Sequence, residues 1–223
     1  MRTLLHIIMI IGGFALLARC TPESHDTIIW VGDETYVPSS MEEMIPDSLA
    51  AAFQSFMSDF GSTPEGFFPP EIEGEYRIGR KQFLTSNLGY DLSDTLDMYL
   101  RVVKQQNRVA CVEFYEGSTV WTDTAFVAGN GNQFSLYFVE NRELLSYGIH
   151  HAHERFVIIT GKKTDEGVKD LRFGCMILTR GESGDPLVGT FVPGWYFIYK
   201  DEDGLSENTD WFSQHEEEEE DNG

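Results

Sequence analysis

The sequence predicts a mainly β protein, an antiparallel up-and-down barrel of eight strands with one N-terminal amphipathic helix. Three observations carry that expectation. From Met41 to Phe60 the apolar residues recur at three- and four-residue spacing; from Ile72 onward they alternate every second residue, and turn residues break the alternation at short intervals. An open meander would expose two unpaired edges, and closing it into a barrel removes them. A two-sheet β-sandwich is the alternative architecture.

Composition suits one such domain. Of the 223 residues 41% are hydrophobic, enough for a buried core, and 8 Pro and 21 Gly are too few for a collagen-like or low-complexity chain. Lys and Arg number 16 against 37 Asp and Glu, a formal charge of −21, which argues against nucleic acid or an anionic membrane surface as the main partner.

Residues 1–19 read as an export signal. Met1-Arg2-Thr3 precedes an apolar run from Leu4 to Leu17, whose 14 residues fall short of the roughly 20 that span a bilayer. Leu17-Ala18-Arg19-Cys20 resembles the bacterial lipoprotein signal, with Arg19 where that family carries a small residue. The resemblance implies that Cys20 is acylated and becomes the first mature residue. Thr21 after it, rather than Asp, implies transfer to the outer membrane. Loss of residues 1–19 leaves 37 acidic against 14 basic residues.

Residues 20–40, rich in Pro, Ser, Thr and acids around a Thr27–Val31 apolar patch, read as a tether. The domain follows over 41–212. Met41, Met44, Ile45, Leu49, Ala52, Phe53, Phe56, Met57 and Phe60 form one helical stripe, with Asp47 as N-cap and Gly61 just past the end, so the firm helix is about 48–60. The stripe is expected to pack on the barrel, at one mouth or against one side.

Eight strands are expected at about 73–79, 96–105, 108–116, 119–127, 133–140, 155–162, 168–179 and 194–201. Gln106-Asn107, Gly117-Ser118, Gly129-Asn130-Gly131-Asn132 and Thr164-Asp165-Glu166-Gly167 supply the hairpin turns. Phe134, Leu136 and Phe138 share one face against Gln133, Ser135 and Tyr137; Trp195, Phe197 and Tyr199 share another. Cys111 and Cys175 lie in apolar runs that suit buried thiols, and an exported compartment also permits a disulfide. Residues 213–223 read as an acidic tail.

The segments Met44-Ile45-Pro46-Asp47-Ser48-Leu49, Pro69-Pro70-Glu71-Ile72-Glu73-Gly74-Glu75-Tyr76, the run from Thr160 to Arg172 and Tyr199-Lys200-Asp201-Glu202-Asp203-Gly204 resemble uncharacterised envelope lipoproteins of Gram-negative bacteria with a lipocalin-like (calycin-like) barrel. Gly74-Glu75-Tyr76 stands where lipocalins have Gly-x-Trp. The resemblance implies a fold and an address, and no activity.

Chemistry-bearing motifs are sparse. Gly181-Glu182-Ser183-Gly184 lacks the spacing of a nucleophile elbow, and no phosphate-cradling or dinucleotide loop occurs. His151 and His153 share one side of an extended segment in the connection before the 155–162 strand, which makes them the candidate metal ligands. Asp201-Glu202-Asp203-Gly204 with Glu207 and Asp210 has the acids of a calcium loop, but aligning Gly204 with the EF-hand glycine puts Tyr199 at the first ligand position. With 16 Phe, 9 Tyr and 4 Trp, the strands can line a cavity, and Phe134, Leu136, Phe138, Trp195 and Phe197 are its candidate wall. The expected function is a lipid-anchored, non-enzymatic outer-membrane binding protein, without cofactor, that holds a small apolar or amphipathic ligand. The alternative is a solid-core barrel that contacts another envelope protein or a surface glycan, through loops that include 144–154 and 181–194.

Overall fold

The computed structural model describes residues 40–88, 98–116, 119–146, 149–179 and 192–214; at 116, 119–123, 141–146 and 149–153 it describes strand backbone alone. The expected export signal, Cys20, the tether up to residue 39, most of the 181–194 loop and the acidic run after 214 lie outside these residues.

The described strands are β1 (Phe67–Phe68), β2 (Gly74–Ile78), β3 (Lys81–Ser86), β4 (Met98–Gln106), β5 (Val109–Glu116), β6 (Thr119–Asn130), β7 (Gln133–Ser146), β8 (Ile149–Thr164), β9 (Gly167–Ile177), β10 (Tyr196–Asp201) and β11 (Leu205–Asn208); β2 to β11 build a closed antiparallel barrel, and β1 pairs in parallel with the end of β6. Strands β4 to β10 pair in sequence as a meander. β10 lies between β9 and β3, while β11 lies between the start of β9 and β2, which pairs with β4. β2 and β3 are two halves of one bent strand, as are β10 and β11, so the wall has eight strands and closes on itself. This is the expected barrel, not the sandwich. Asn107, at φ 54°, and Gly131, at φ 65°, supply the positive φ of two hairpins that the turn residues announced.

Two halves of the wall are absent from the sequence expectation. β3 and β11 are short and mostly polar, and they are the pieces that complete closure. β7 and β8 are also longer than expected. β7 meets β6 only from Gln133 to Tyr137, yet pairs with β8 all the way to Ser146–Ile149. Residues 141–146 and 149–153 thus continue beyond the wall as a two-stranded arm, and His151 and His153 lie within β8 rather than in a connection.

The interior face of the wall alternates as the pleat requires. Leu100 and Val102, Ala110, Val112 and Phe114, Ala125 and Val127, and Val157 and Ile159 join one buried cluster. Cys175 is in that cluster, whereas Cys111 is buried on the opposite face of β5, alternating with Ala110 and Val112.

The helix packs outside, against one side of the barrel. A 3-10 turn at Asp47–Leu49 leads into α1 (Ala50–Phe60). Asp47 lies inside the 3-10 turn, and the residue capping α1 is Leu49, with no side-chain cap hydrogen bond, so the expected Asp47 cap does not form. At the other end Gly61, at φ 91°, carries the chain away, and Arg172 donates to the Phe60 carbonyl at 2.8 Å, a cation where the helix dipole is negative. Phe53, Phe56 and Phe60 bury themselves on the outer residues Tyr137, Phe156, Ile158, Met176, Tyr196 and Ile198. Gly174 makes the approach possible: a Cβ there would stand 2.8 Å from both Phe56 and Phe60. Tyr196 donates to Asp59 Oδ2 at 2.6 Å, and burial, reinforced by that carboxylate, pushes its phenol up to about 12.

Residues 211–214 lie on the outside of β2, β4 and β5. Arg101 stands opposite both Glu75 and Glu113 and pairs with them at 3.8 and 2.5 Å. Trp211 stacks on Tyr99 at 4.6 Å, Phe212 covers Arg101 at 4.8 Å, and Ser213 donates to Glu75 at 2.8 Å. Residues 211–214 thus pack on the barrel wall.

Candidate functional site

The residues expected to line a cavity fall mostly in one place. Phe134, Leu136 and Phe138 alternate along β7 with no more than 1% of their surface exposed, and Phe197 packs against the same interior cluster from β10. Trp195 precedes β10, is half-buried and is not part of that cluster. Phe138 stacks on Phe114 at 5.5 Å, and Phe173 meets Phe197 at 6.5 Å. These rings pack on one another inside the barrel wall. Among the described residues, the interior space bounded by Met98, Phe114, Phe138, Glu140, Arg155, Val157 and Phe173 measures about 10 Å³, room for one water molecule.

Polar groups close the interior at both ends. At the end carrying the tight turns, Tyr76 donates to the Ile72 carbonyl at 2.7 Å and accepts from Lys163 Nζ at 2.9 Å, the ammonium lying 4.8 Å over its ring. Burial drives both groups toward their neutral forms: the Tyr76 phenol is raised, and the Lys163 ammonium is lowered against the opposing pull of Asp165. At the other end Glu140 and Arg155, opposite each other on β7 and β8, form an ion pair with side chains only 2% and 9% exposed. Hydropathy alternation could not single out this pair, because each residue sits one step past the apolar run of its strand; cross-strand register is what joins them.

The acids of the calcium-like segment build a bend instead. Asp201 ends β10 with 2% exposure and accepts from Ser206 Oγ at 2.7 Å, while Asp203 accepts the Leu205 N–H at 3.1 Å. Burial holds the Asp201 carboxyl above the usual range. Together they turn the chain from β10 into β11. His151 and His153 take alternate positions on β8, opposite Leu144 and Arg142 of β7, and their side chains lie outside the described set. Among the described residues no group of three His, Cys, Asp or Glu side chains could hold a metal ion.

The search for relatives leaves the fold to stand alone: no protein-family model, curated protein or solved structure matches the chain. The eight-stranded antiparallel barrel is consistent with a lipocalin-like fold and compatible with ligand binding.

Proposed function

We propose that the chain is an exported envelope lipoprotein, held at the outer membrane through an acylated Cys20, whose barrel is a solid, non-enzymatic interaction module rather than a carrier. The filled interior is the observation that carries this reading. A pocket for a small organic ligand encloses roughly 300–1,000 Å³; among the described residues, the interior space beside these rings is about 10 Å³. Phe134, Leu136, Phe138 and Phe197 are then core, and recognition passes to the outside. The β7–β8 arm supports that second half. Among the described residues no strand pairs with the outer edges of 141–146 and 149–153, and open strand edges recruit extended segments of other proteins by backbone hydrogen bonding. The anchor rests on the signal-like run ending at Cys20, and the outer-membrane address on Thr21.

One mass spectrum tests both halves. The protein is purified gently from its own cell envelope and weighed natively, then after denaturation. The expected chain lacks residues 1–19, carries acyl mass that survives denaturation and bears no further small molecule. An unmodified amino terminus overturns the anchor; an apolar adduct released by denaturation overturns the solid barrel.

A further inference from the structure

The bend between β10 and β11 sets a carboxyl where the barrel wall changes partners. β10 runs between β3 and β9; past the bend, β11 meets β9 through Leu205, Ser206 and Glu207 and β2 through Glu207 and Asn208 alone. The seam between β9 and β2 therefore rests on few backbone pairs. Asp201, at the end of β10, is buried, and its Oδ2 accepts from Ser206 Oγ of β11 at 2.7 Å. Its Oδ1 has no hydrogen-bond partner among the described residues. One buried side chain thus ties the two halves of the strand together with an oxygen left over. A buried carboxylate oxygen without a donor costs free energy, and a proton on the carboxyl removes that cost.

Every element packed around the bend faces this carboxyl differently. From β3, Lys81 stands opposite Asp201 in the ladder, its ammonium 5.8 Å over the Tyr199 ring. Between β2 and β3 the neighbour is Gly79, which brings no donor: a Cβ there would stand 3.8 Å from Oδ1. From β9, the Asp170 N–H donates to the Gly204 carbonyl at 3.1 Å, while its exposed carboxylate lies 4.0 Å from Lys162. Arg77, Arg80, Glu202, Asp203 and Glu207 line a groove open to water outside the bend.

We propose that the bend is a proton-operated latch on the barrel wall: with Asp201 neutral, β11 closes the seam between β9 and β2, and with Asp201 ionised, β11 loosens and opens the edges of those two strands. Burial, reinforced by the like charge of Asp203 and opposed by the Ser206 hydrogen bond, makes Asp201 hold its proton above the usual carboxylate range. A carboxyl that binds its proton more tightly folded than unfolded stabilises the closed seam fully below that range, and the contribution is lost as pH rises through the folded value. Acidification therefore tightens this part of the wall. The inference depends on neither the Cys20 anchor nor the filled interior.

The test follows amide hydrogen exchange in the full chain against pH, with each rate divided by that of an unstructured chain at the same pH, and the Asp201 carboxyl ¹³C resonance in parallel. Protection of residues 205–208 is expected to fall at least about tenfold across the Asp201 titration, while residues 157–159 of β8, which report the whole barrel, keep theirs. Asp201→Asn, neutral at every pH and still able to accept from Ser206, is expected to hold 205–208 at their low-pH protection throughout. Constant protection of 205–208 in the wild-type chain, an equal loss at 157–159, or a pH-dependent loss that persists in Asp201→Asn overturns the proposal. If the variant does not fold, the wild-type resonance decides: a midpoint inside the usual carboxylate range overturns the latch, and one above it that coincides with the loss of protection supports it.

Discussion

Phe56→Ala is expected to lower stability by about 3–5 kcal/mol, the cost of emptying a fully buried aromatic site. Phe56 has no exposed surface, and its ring lies 6.2 Å from Phe156, 5.4 Å from Tyr196 and 5.9 Å from Phe60. Those neighbours are anchored on β8, β10 and the helix itself, so the hole cannot close without moving α1. Gly174 sharpens the effect, because the wall beneath the ring has no side chain with which to fill the gap. For a domain of this size the loss corresponds to a fall of roughly 6–20 °C in the thermal midpoint. Met57, half-buried on the same helix, serves as the control, and its truncation is expected to cost much less. A Phe56→Ala midpoint within a degree or two of wild type would mean that α1 is not part of the folded unit.

Glu140→Ala is expected to cost a similar amount, about 3–5 kcal/mol, for an electrostatic reason. The substitution leaves the Arg155 guanidinium inside the barrel mouth without the carboxylate that it faces across the β7–β8 ladder. The contrast is with Lys169 and Glu166, 48% and 69% exposed at 3.2 Å, where Lys169→Ala is expected to change stability by no more than about 1 kcal/mol. Replacing both interior partners, Glu140→Leu with Arg155→Leu, is expected to recover most of the loss, since no uncompensated charge then remains. Urea unfolding of the two single variants and the double variant gives the coupling directly. Single variants that cost no more than the exposed pair would place Glu140 and Arg155 in water.

The architecture was legible because its signals are local. Alternation in Phe134–Phe138, the Gln106-Asn107 turn and the Phe53, Phe56, Phe60 stripe each point to one element, and each element forms. What stayed hidden depends on partners distant in sequence. β3 shows one interior apolar residue, Phe83, and β11 little beyond Leu205, so neither produces alternation; they are strands because β9, β10 and β2 offer them backbone partners. The β7–β8 arm was missed because 141–146 and 149–153 carry no regular alternation of apolar and polar residues. The fork between a hollow and a filled barrel could not be decided from aromatic content, because the same Phe138 lines a cavity or packs on Phe114 according to where β5 lies. The Glu140–Arg155 pair was likewise a matter of register.

The claim on which the functional reading depends is that the barrel is full, and xenon binding followed by ¹²⁹Xe magnetic resonance tests it most directly, because xenon occupies dry apolar cavities whatever the natural ligand. The wild-type protein is expected to give no saturable shift, while Phe138→Ala, which removes a ring from the centre of the interior, is expected to create a xenon site. A saturable xenon site inside the wild-type barrel would contradict the account and return the protein to the class of ligand carriers.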